Sequence, residues 1–170
     1  MTRLKSLLLT WLFLAATMAT GSAHAGKAVD FELVDVTGKV LHLSDFKGRW
    51  LLVNFWAPWC PMCASEVPTL NSLNKRDDFA VIGISLDYGS ETSAVKDFAE
   101  KHGFAVAAIV PGGARRDQNS PFRQVGPVDF FPTSYLYAPD GEIVMFIPGL
   151  VKEEKLRAFM KNWEKKAAKK

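Results

Sequence analysis

The chain contains two cysteines, Cys60 and Cys63, and only two residues separate them. A disulfide that stabilises a fold usually joins distant segments, because closing a long loop restricts the unfolded chain more. This pair encloses almost no loop, so it would contribute little as a structural cross-link. Its spacing instead favours redox chemistry or metal binding.

The residues before the pair predict that Cys60 begins a helix. A continuous apolar run at 50–56, typical of a buried strand, is followed by a short bridge at 57–59. The unpaired amides and the dipole at a helix N-terminus favour negative charge, so we expect a lowered pKa for the Cys60 thiol. Because a thiolate is the species that attacks disulfides, Cys60 is the predicted nucleophile.

One helical turn further on, Cys63 is the predicted resolving cysteine. Side chains at i and i+3 have Cβ atoms about 5–6 Å apart, and a modest adjustment reaches the roughly 3.8 Å of a disulfide. Glu66 follows after three more residues, hence on the same side of the helix. If it is buried, its pKa would rise and it could accept a proton from Cys63. Alternatively, it is an ordinary acid that complements the helix dipole.

Hydrophobic patterns in the rest of the chain predict the elements that position these residues. The predicted strands are residues 31–36, 40–43, 50–56, 79–86, 104–110, 133–138 and 143–147. The predicted helices are residues 60–75, 92–102, 120–126 and 151–165. The first two strands form a hairpin, and so do the last two, which a Pro-Asp-Gly-Glu turn joins. This order predicts an α/β fold whose mixed sheet is covered by helices on both faces.

The first 25 residues are typical of a secretory signal peptide. Arg3 and Lys5 precede an apolar run at 7–19, and Ala23-His24-Ala25 has the small-x-small form of a cleavage site. Cleavage there leaves one domain, residues 26–170, outside the cytoplasm, in the periplasm or an equivalent compartment where disulfides persist. An uncleaved membrane anchor is the alternative, although the run is short for a span of about 20 residues.

Charge gives no indication of a nucleic-acid partner. The net charge of +3 falls to about +1 when the predicted leader, which carries Arg3 and Lys5 and no acid, is removed. A chain so close to neutrality lacks the electrostatic footprint of a nucleic-acid-binding protein.

Metal handling is the alternative chemistry for the cysteine pair. Two thiolates could bind the soft ion Cu(I), and Met62 between them could add a thioether. No histidine has ligand spacing to the pair, because His24 lies in the predicted leader, and we expect His42 and His102 on the surface or in packing. The ligand set is incomplete, so we predict no metal site and keep a Cu(I)-handling thiol metallochaperone as the alternative function.

The residues around the pair resemble the thioredoxin superfamily. The segment VNFWAPWCPMC at 53–63 is similar to its active-site segment, and LSDFKGRW at 43–50 is similar to the TlpA/ResA-like branch, as are Glu66 and Pro68. The resemblance covers roughly residues 29–159. It implies a thioredoxin fold, a central mixed β-sheet flanked by helices, with an N-terminal β-hairpin extension. It also implies an exported thiol–disulfide oxidoreductase that acts as a reductant of protein disulfides, for example in cytochrome c maturation.

The same resemblance implies a cis proline facing the cysteine pair. Pro132 precedes a predicted strand and matches that element, so the backbone at Phe131 could pair with an extended substrate segment. The predicted substrate-binding residues are Trp59, Pro61, Met62, Phe131 and Thr133. The implied partners are protein disulfides and an upstream, membrane-bound thiol electron donor, with no cofactor beyond the cysteine pair's own disulfide.

Two positions depart from the patterns of related proteins. Asn54 stands where thioredoxin itself has a buried aspartate, and Glu66 matches the acid of the TlpA-like branch instead. Phe131 is bulkier than the residue usual before the cis proline, which narrows the expected substrate groove. A peroxidase of related fold is a third interpretation, but it requires a threonine-associated peroxidatic cysteine that this chain does not supply.

Overall fold

The computed structural model describes residues 30–86, 92–113, 117 and 119–169. The predicted leader and its cleavage site therefore lie outside the described residues. Across the described ranges, none of the helices is both long and apolar enough to traverse a bilayer.

Seven strands form two sheets in the described ranges. They are β1 (Glu32–Val34), β2 (Val40–His42), β3 (Trp50–Trp56), β4 (Phe79–Ser85), β5 (Ala108–Pro111), β6 (Thr133–Tyr137) and β7 (Ile143–Pro148). β1 and β2 make an antiparallel hairpin, and the other five strands form a sheet in the order β5-β4-β3-β6-β7. The pairs β3–β4 and β4–β5 are parallel, whereas β3–β6 and β6–β7 are antiparallel. The predicted mixed sheet and the N-terminal hairpin are thus confirmed.

Four α-helices cover this sheet. They are α1 (Pro61–Asn74), α2 (Ser93–His102), α3 (Pro121–Val125) and α4 (Glu153–Ala167). Because side chains alternate along a strand, β3 contributes to two cores. Leu51, Val53 and Phe55 pack with the hairpin and α3, whereas Leu52 and Trp56 pack with α1, α2 and α4. Helices on both faces explain why β3 is apolar along nearly its whole length.

The central strand β3 carries the cysteine pair to one end of the sheet. All seven of its residues are buried, and it is hydrogen-bonded to a strand on each side. Its last residue, Trp56, packs against Phe98 and Phe104, with ring centroids 4.3 and 5.6 Å away. The bridge to α1 therefore starts from a rigidly packed strand end.

The predicted strand at 104–110 is shorter in the structure, where β5 begins only at Ala108. Side chains of α1 hold the preceding residues instead. The Asn71 carboxamide donates to the Gly103 carbonyl and accepts from the Ala105 amide, at 2.6 and 2.8 Å. These contacts, and a hydrogen bond from the Ala107 amide to β4, hold residues 104–107 without regular sheet pairing, which is why the observed strand is shorter than the predicted one.

Candidate active site

Cys60 occupies the N-cap position of α1, one residue before the helix begins. Its Sγ accepts a hydrogen bond from the Cys63 amide at 3.1 Å, and its own amide donates to the Ala57 carbonyl at 3.0 Å. Pro61 fills the first helical position, where the missing N–H costs nothing. The sulfur thus lies where unpaired amides point, as predicted, and the same amide can stabilise a Cys60 thiolate in the reduced protein.

Cys60 and Cys63 form a disulfide with their Cα atoms 5.3 Å apart. The two sulfurs are not equivalent, because Cys60 is only partly buried, whereas Cys63 is 2% exposed and belongs to the core beneath α1. A protein thiol or disulfide arriving from solvent can therefore reach Cys60 and not Cys63. This difference in access is the structural basis for separating an attacking from a resolving cysteine.

Exposed apolar side chains lie beside the disulfide on its own segment. Trp59 and Met62 are 57% and 49% exposed, and Pro61 is exposed between them. On the opposing segment Phe130 is 48% exposed, and Leu150 is also exposed. We refer to Trp59, Met62, Phe130 and Leu150 as the apolar rim; sequence reasoning missed Phe130 and Leu150, because only the folded chain shows which apolar residues remain in solvent.

The Phe131–Pro132 peptide bond is cis, as the resemblance implied. Thr133 pairs with Phe55 in the β3–β6 register, so Pro132 lies at the end of the sheet where β3 leads into α1. The Pro132 carbonyl accepts the Gly149 amide at 2.9 Å, which ties the chain beyond β7 to this end. Phe131 is half-buried and packs against the same cores as Cys60.

Thr133 has a different environment from the other predicted substrate-binding residues. Its side chain is fully buried, and its hydroxyl donates to the Phe130 carbonyl at 2.9 Å. The structure therefore places Thr133 inside the sheet, where its side chain supports the Phe130–Pro132 segment rather than facing solvent.

Glu66 is buried below the disulfide, with 3% of its surface exposed. Its Oε1 accepts from the Asn54 carboxamide at 2.8 Å, and its Oε2 accepts from the Val151 amide at 3.1 Å. Burial raises the pKa of this carboxyl, and the hydrogen bonds from Val151 and Asn54 oppose that rise only in part. Of the two interpretations that the sequence left open, the buried carboxyl is the one that the structure supports.

The hydrogen-bond network around Glu66 draws on three other segments of the chain. Asn54 lies in β3, Val151 lies before α4, and Ser134 in β6 accepts a second hydrogen bond from the Asn54 Nδ2 at 3.0 Å. Sequence reasoning noted Asn54 only as a departure from thioredoxin and missed the other two. A polar residue within a run predicted to be fully buried requires a partner, which is a usable signal. Val151 contributes only its backbone amide, so the identity of this residue gives no indication of the hydrogen bond.

The metal alternative gains no ligand from the fold. Within the part of the chain that the structure describes, no three His, Cys, Asp or Glu side chains come together as a metal site would require.

Comparisons with known proteins point to one group of relatives. A family model described as AhpC/TSA matches residues 25–145. The thiol-disulfide oxidoreductase ResA of Geobacillus kaustophilus (strain HTA426) is 30% identical over 149 residues, covering 86% of this chain and 81% of that protein. The solution structure of a putative thioredoxin from Neisseria meningitidis matches with a TM-score of 0.65 at 26% identity, covering 81% of this chain and 90% of the other. The pneumococcal exposed lipoprotein thioredoxin of Streptococcus pneumoniae strain TIGR4 matches with a TM-score of 0.60, also at 26% identity, covering 79% and 99%.

The raised pKa of Glu66 predicts how its carboxyl affects stability with pH. As pH rises above the ordinary value of 4.5, the unfolded chain ionises Glu66 first, while the folded protein still holds the proton. Stability from this group is therefore fully present below that pH and is lost as pH rises through the folded pKa. The free energy of unfolding of the oxidised wild type minus that of Glu66→Gln should decrease over this range, as measured by urea denaturation.

Glu100→Gln, which removes a carboxylate from an exposed position of α2, is the matched control for the loss of one acid. A wild-type-minus-Glu66→Gln difference that increases with pH would contradict the assigned direction.

Proposed function

The chain belongs to the AhpC/TSA family and is a ResA-like thiol–disulfide oxidoreductase of the thioredoxin superfamily, and from this premise we propose that it reduces protein disulfides outside the cytoplasm. The observation that carries the proposal is the unequal access of the two cysteines, with Cys60 at a helix N-terminus and Cys63 enclosed. A reductive task such as cytochrome c maturation fits this chemistry.

The proposed reaction begins with the reduced dithiol. The Cys60 thiolate attacks a substrate disulfide, so that one sulfur–sulfur bond forms as another breaks, and the first substrate thiolate leaves. Cys63 then loses its proton and attacks the Cys60 sulfur, which releases the second substrate thiolate and closes the Cys60–Cys63 disulfide. The two electrons of the dithiol pass to the substrate, and an upstream thiol donor must return two electrons before the next cycle.

Glu66 is the proposed acceptor for the Cys63 proton. It lies three residues after Cys63 on the same helix, and burial raises the pKa of its carboxyl above the ordinary value, which makes it a stronger base than an exposed carboxylate. A group that ionises only reluctantly in the folded protein can take up a proton and later return it. An exposed carboxylate would hold that proton too weakly.

The apolar rim supports a protein as the substrate. Trp59 and Met62 belong to the cysteine-bearing segment. Phe130 and Leu150 lie on two segments that the Gly149–Pro132 hydrogen bond joins, and Val151 ties the second of these to Glu66 on α1. Exposed aromatic and apolar residues next to a reactive group suit a polypeptide surface, because they gain by excluding water from it. We propose that Phe131 and Pro61 complete the contact surface and that Thr133 acts only by holding Phe130.

Residues 1–25 support export, since their charges, apolar run and small-x-small site match a cleavable leader. The Streptococcus pneumoniae relative, described as an exposed lipoprotein, is consistent with that location. In an exported reductant the electrons must come across the membrane, so we propose a membrane-bound thiol donor.

Single-cysteine variants test the order of the two sulfurs. Cys60→Ser should lower disulfide reduction to the uncatalysed rate, because the enclosed Cys63 cannot be reached by the substrate. Cys63→Ser should also lose turnover but accumulate a covalent mixed disulfide at Cys60, which intact-mass spectrometry measures. Ser65→Ala, an exposed change on α1, is the control and should retain turnover. Adduct formation through Cys63 in the Cys60→Ser variant would reverse the assignment.

The redox potential of the Cys60–Cys63 couple tests the direction of electron flow. Equilibration with glutathione buffers should give a value nearer about −270 mV than about −120 mV, the two ends spanned by related dithiols. A reductant needs a low potential so that electrons flow from Cys60 and Cys63 to the substrate. A value near the oxidising end would make the protein a disulfide donor and refute the reductive role.

Expression of the full chain in a bacterium tests the location. The protein recovered from the periplasmic fraction should begin at Gly26, as mass spectrometry of its N-terminal peptide would show. Arg3→Glu with Lys5→Glu, which removes the positive region of the leader, should leave the uncut chain in the cytoplasm. Recovery of uncut wild-type chain in the membrane fraction would instead support an anchor.

A further inference from the structure

Asn54 is a fully buried carboxamide in the middle of the central strand. Its Nδ2 donates to the Glu66 Oε1 at 2.8 Å and to the Ser134 Oγ at 3.0 Å, which uses both of its hydrogens. Its Oδ1 is buried and has no hydrogen-bond partner among the described residues. Orphaned buried acceptors are uncommon and call for an explanation.

The two protonation states of Glu66 require different partners. An ionised carboxylate only accepts hydrogen bonds, and both of its oxygens do so here, Oε1 from Asn54 and Oε2 from the Val151 amide. A protonated carboxyl must also donate one. The Val151 amide can only donate, and an unprotonated carboxyl oxygen is the better acceptor for it. We therefore assign the proton to Oε1, the oxygen that faces Asn54.

A carboxamide can serve either state if it turns over. Rotation by about 180° places Oδ1 where Nδ2 was, between the Glu66 Oε1 and the Ser134 Oγ. Oδ1 then accepts from the protonated Oε1, and the Ser134 hydroxyl, which accepts in the first orientation, donates in the second. In the orientation that the structure holds, Oδ1 is the atom of Asn54 that has no hydrogen-bond partner among the described residues. The turned orientation gives that oxygen two donors, the protonated Glu66 carboxyl and the Ser134 hydroxyl.

We propose that Asn54 is a positioning residue whose carboxamide turns over each time Glu66 gains or loses its proton, with the Ser134 hydroxyl reversing its role. The inference rests on the proposed function in one respect, that Glu66 receives the proton of Cys63. The hydrogen-bond partners of the Asn54 side chain in the described residues are Glu66 and Ser134, so we expect it to act through the acid rather than on the sulfurs. Its carboxamide gives the Glu66 carboxyl a matched hydrogen-bond partner both before and after proton transfer, so that Glu66 can gain and lose its proton in every cycle.

Burial and hydrogen bonds, rather than neighbouring charges, set the pKa of Glu66 in this arrangement. Glu66 is hydrogen-bonded to Asn54 from β3, which also binds Ser134 from β6, and to the Val151 amide from the segment before α4. Cys63 precedes it by three residues on α1. Burial raises the pKa of the carboxyl, and Val151 and Asn54 lower it, while no charged side chain contributes to the shift. A change in the group that Asn54 presents to Glu66 should therefore shift the pKa of Glu66 directly.

Nuclear magnetic resonance of the oxidised protein tests the turnover without any catalytic step. The Glu66 carboxyl carbon reports its protonation, and the nuclear Overhauser effect between the Asn54 Nδ2 hydrogens and the Ser134 Hβ atoms reports the amide orientation. We expect this contact at high pH and its loss at low pH, with the midpoint of the Glu66 titration. Persistence of the contact across that titration, or a Glu66 that stays in one form between pH 4 and 9, would overturn the proposal.

Glu66→Gln supplies a trapped form of the second state. The Val151 amide fixes the side-chain oxygen of Gln, so its nitrogen must donate toward Asn54 and hold Oδ1 in place. The Asn54–Ser134 contact should then be absent at every pH. Its presence in this variant at any pH would also overturn the proposal.

Asn54→Leu gives the kinetic readout, because leucine has nearly the same size and no polar atom. Loss of a hydrogen bond to the charged form should raise the Glu66 midpoint by about one to two pH units. The pH profile of the second exchange step should shift with it. Asn119→Leu, an exposed change of the same type, should leave the midpoint in place. An unshifted midpoint in Asn54→Leu contradicts the proposal, and the wild-type resonance experiment decides the matter if that variant does not fold.

The two proposals can fail separately. If the amide turns over with Glu66 but Glu66→Gln exchanges disulfides at the wild-type rate, the positioning role of Asn54 stands and the proton-accepting role of Glu66 fails. If Glu66→Gln is slow but the Asn54 orientation never changes, the acid acts in catalysis and the turnover is refuted.

Discussion

The contact between the Cys60 sulfur and the first free amides of α1 is the interaction on which the active site depends. It exists because β3 ends at Trp56 against Phe98 and Phe104, and after a bridge of three residues Cys60 caps the next helix. A sulfur at that point is stabilised as an anion by amides that have no helical partner. The helix then places Cys63 one turn away and inward, so a single structural element makes the two thiols chemically different.

The buried acid imposes a second constraint on the fold. Taking a carboxyl out of water is costly unless polar groups replace the solvent, and Glu66 obtains them from Asn54 and Val151. Those partners belong to the central strand and to the segment before the last helix, and Ser134 adds a second strand, β6, behind Asn54. The network joins the strands β3 and β6 to the cysteine-bearing helix, and it therefore couples the position of the acid to the correct assembly of the whole sheet.

This protein differs from thioredoxin at a position of the central strand, where Asn54 stands in place of a buried aspartate. The acid is carried on the helix beside Cys63 rather than on the strand, and an uncharged carboxamide occupies the strand position. A carboxamide both donates and accepts, so it is compatible with either form of a neighbouring acid, whereas two carboxyls would compete for one proton. The exposed side chains of the apolar rim and the half-buried Phe131 support the proposed protein substrate.

The sequence by itself determined the elements and the identity of the reactive pair, because these depend on local patterns. The apolar run of β3, the Cys-x-x-Cys spacing and the turn residues of the hairpins act over a few positions, and the structure agrees with them. The sequence could not show that Asn71 would bind the backbone at Gly103 and Ala105 ahead of β5, that Thr133 would be enclosed, or that Phe130 and Leu150 would stay in solvent. It also could not place the Val151 amide at Glu66 or Ser134 at Asn54, since these partners lie 85 and 80 residues apart along the chain and meet only when the sheet is assembled. Burial and hydrogen-bond partnership are properties of neighbours in space, and only the tertiary structure decides who those neighbours are.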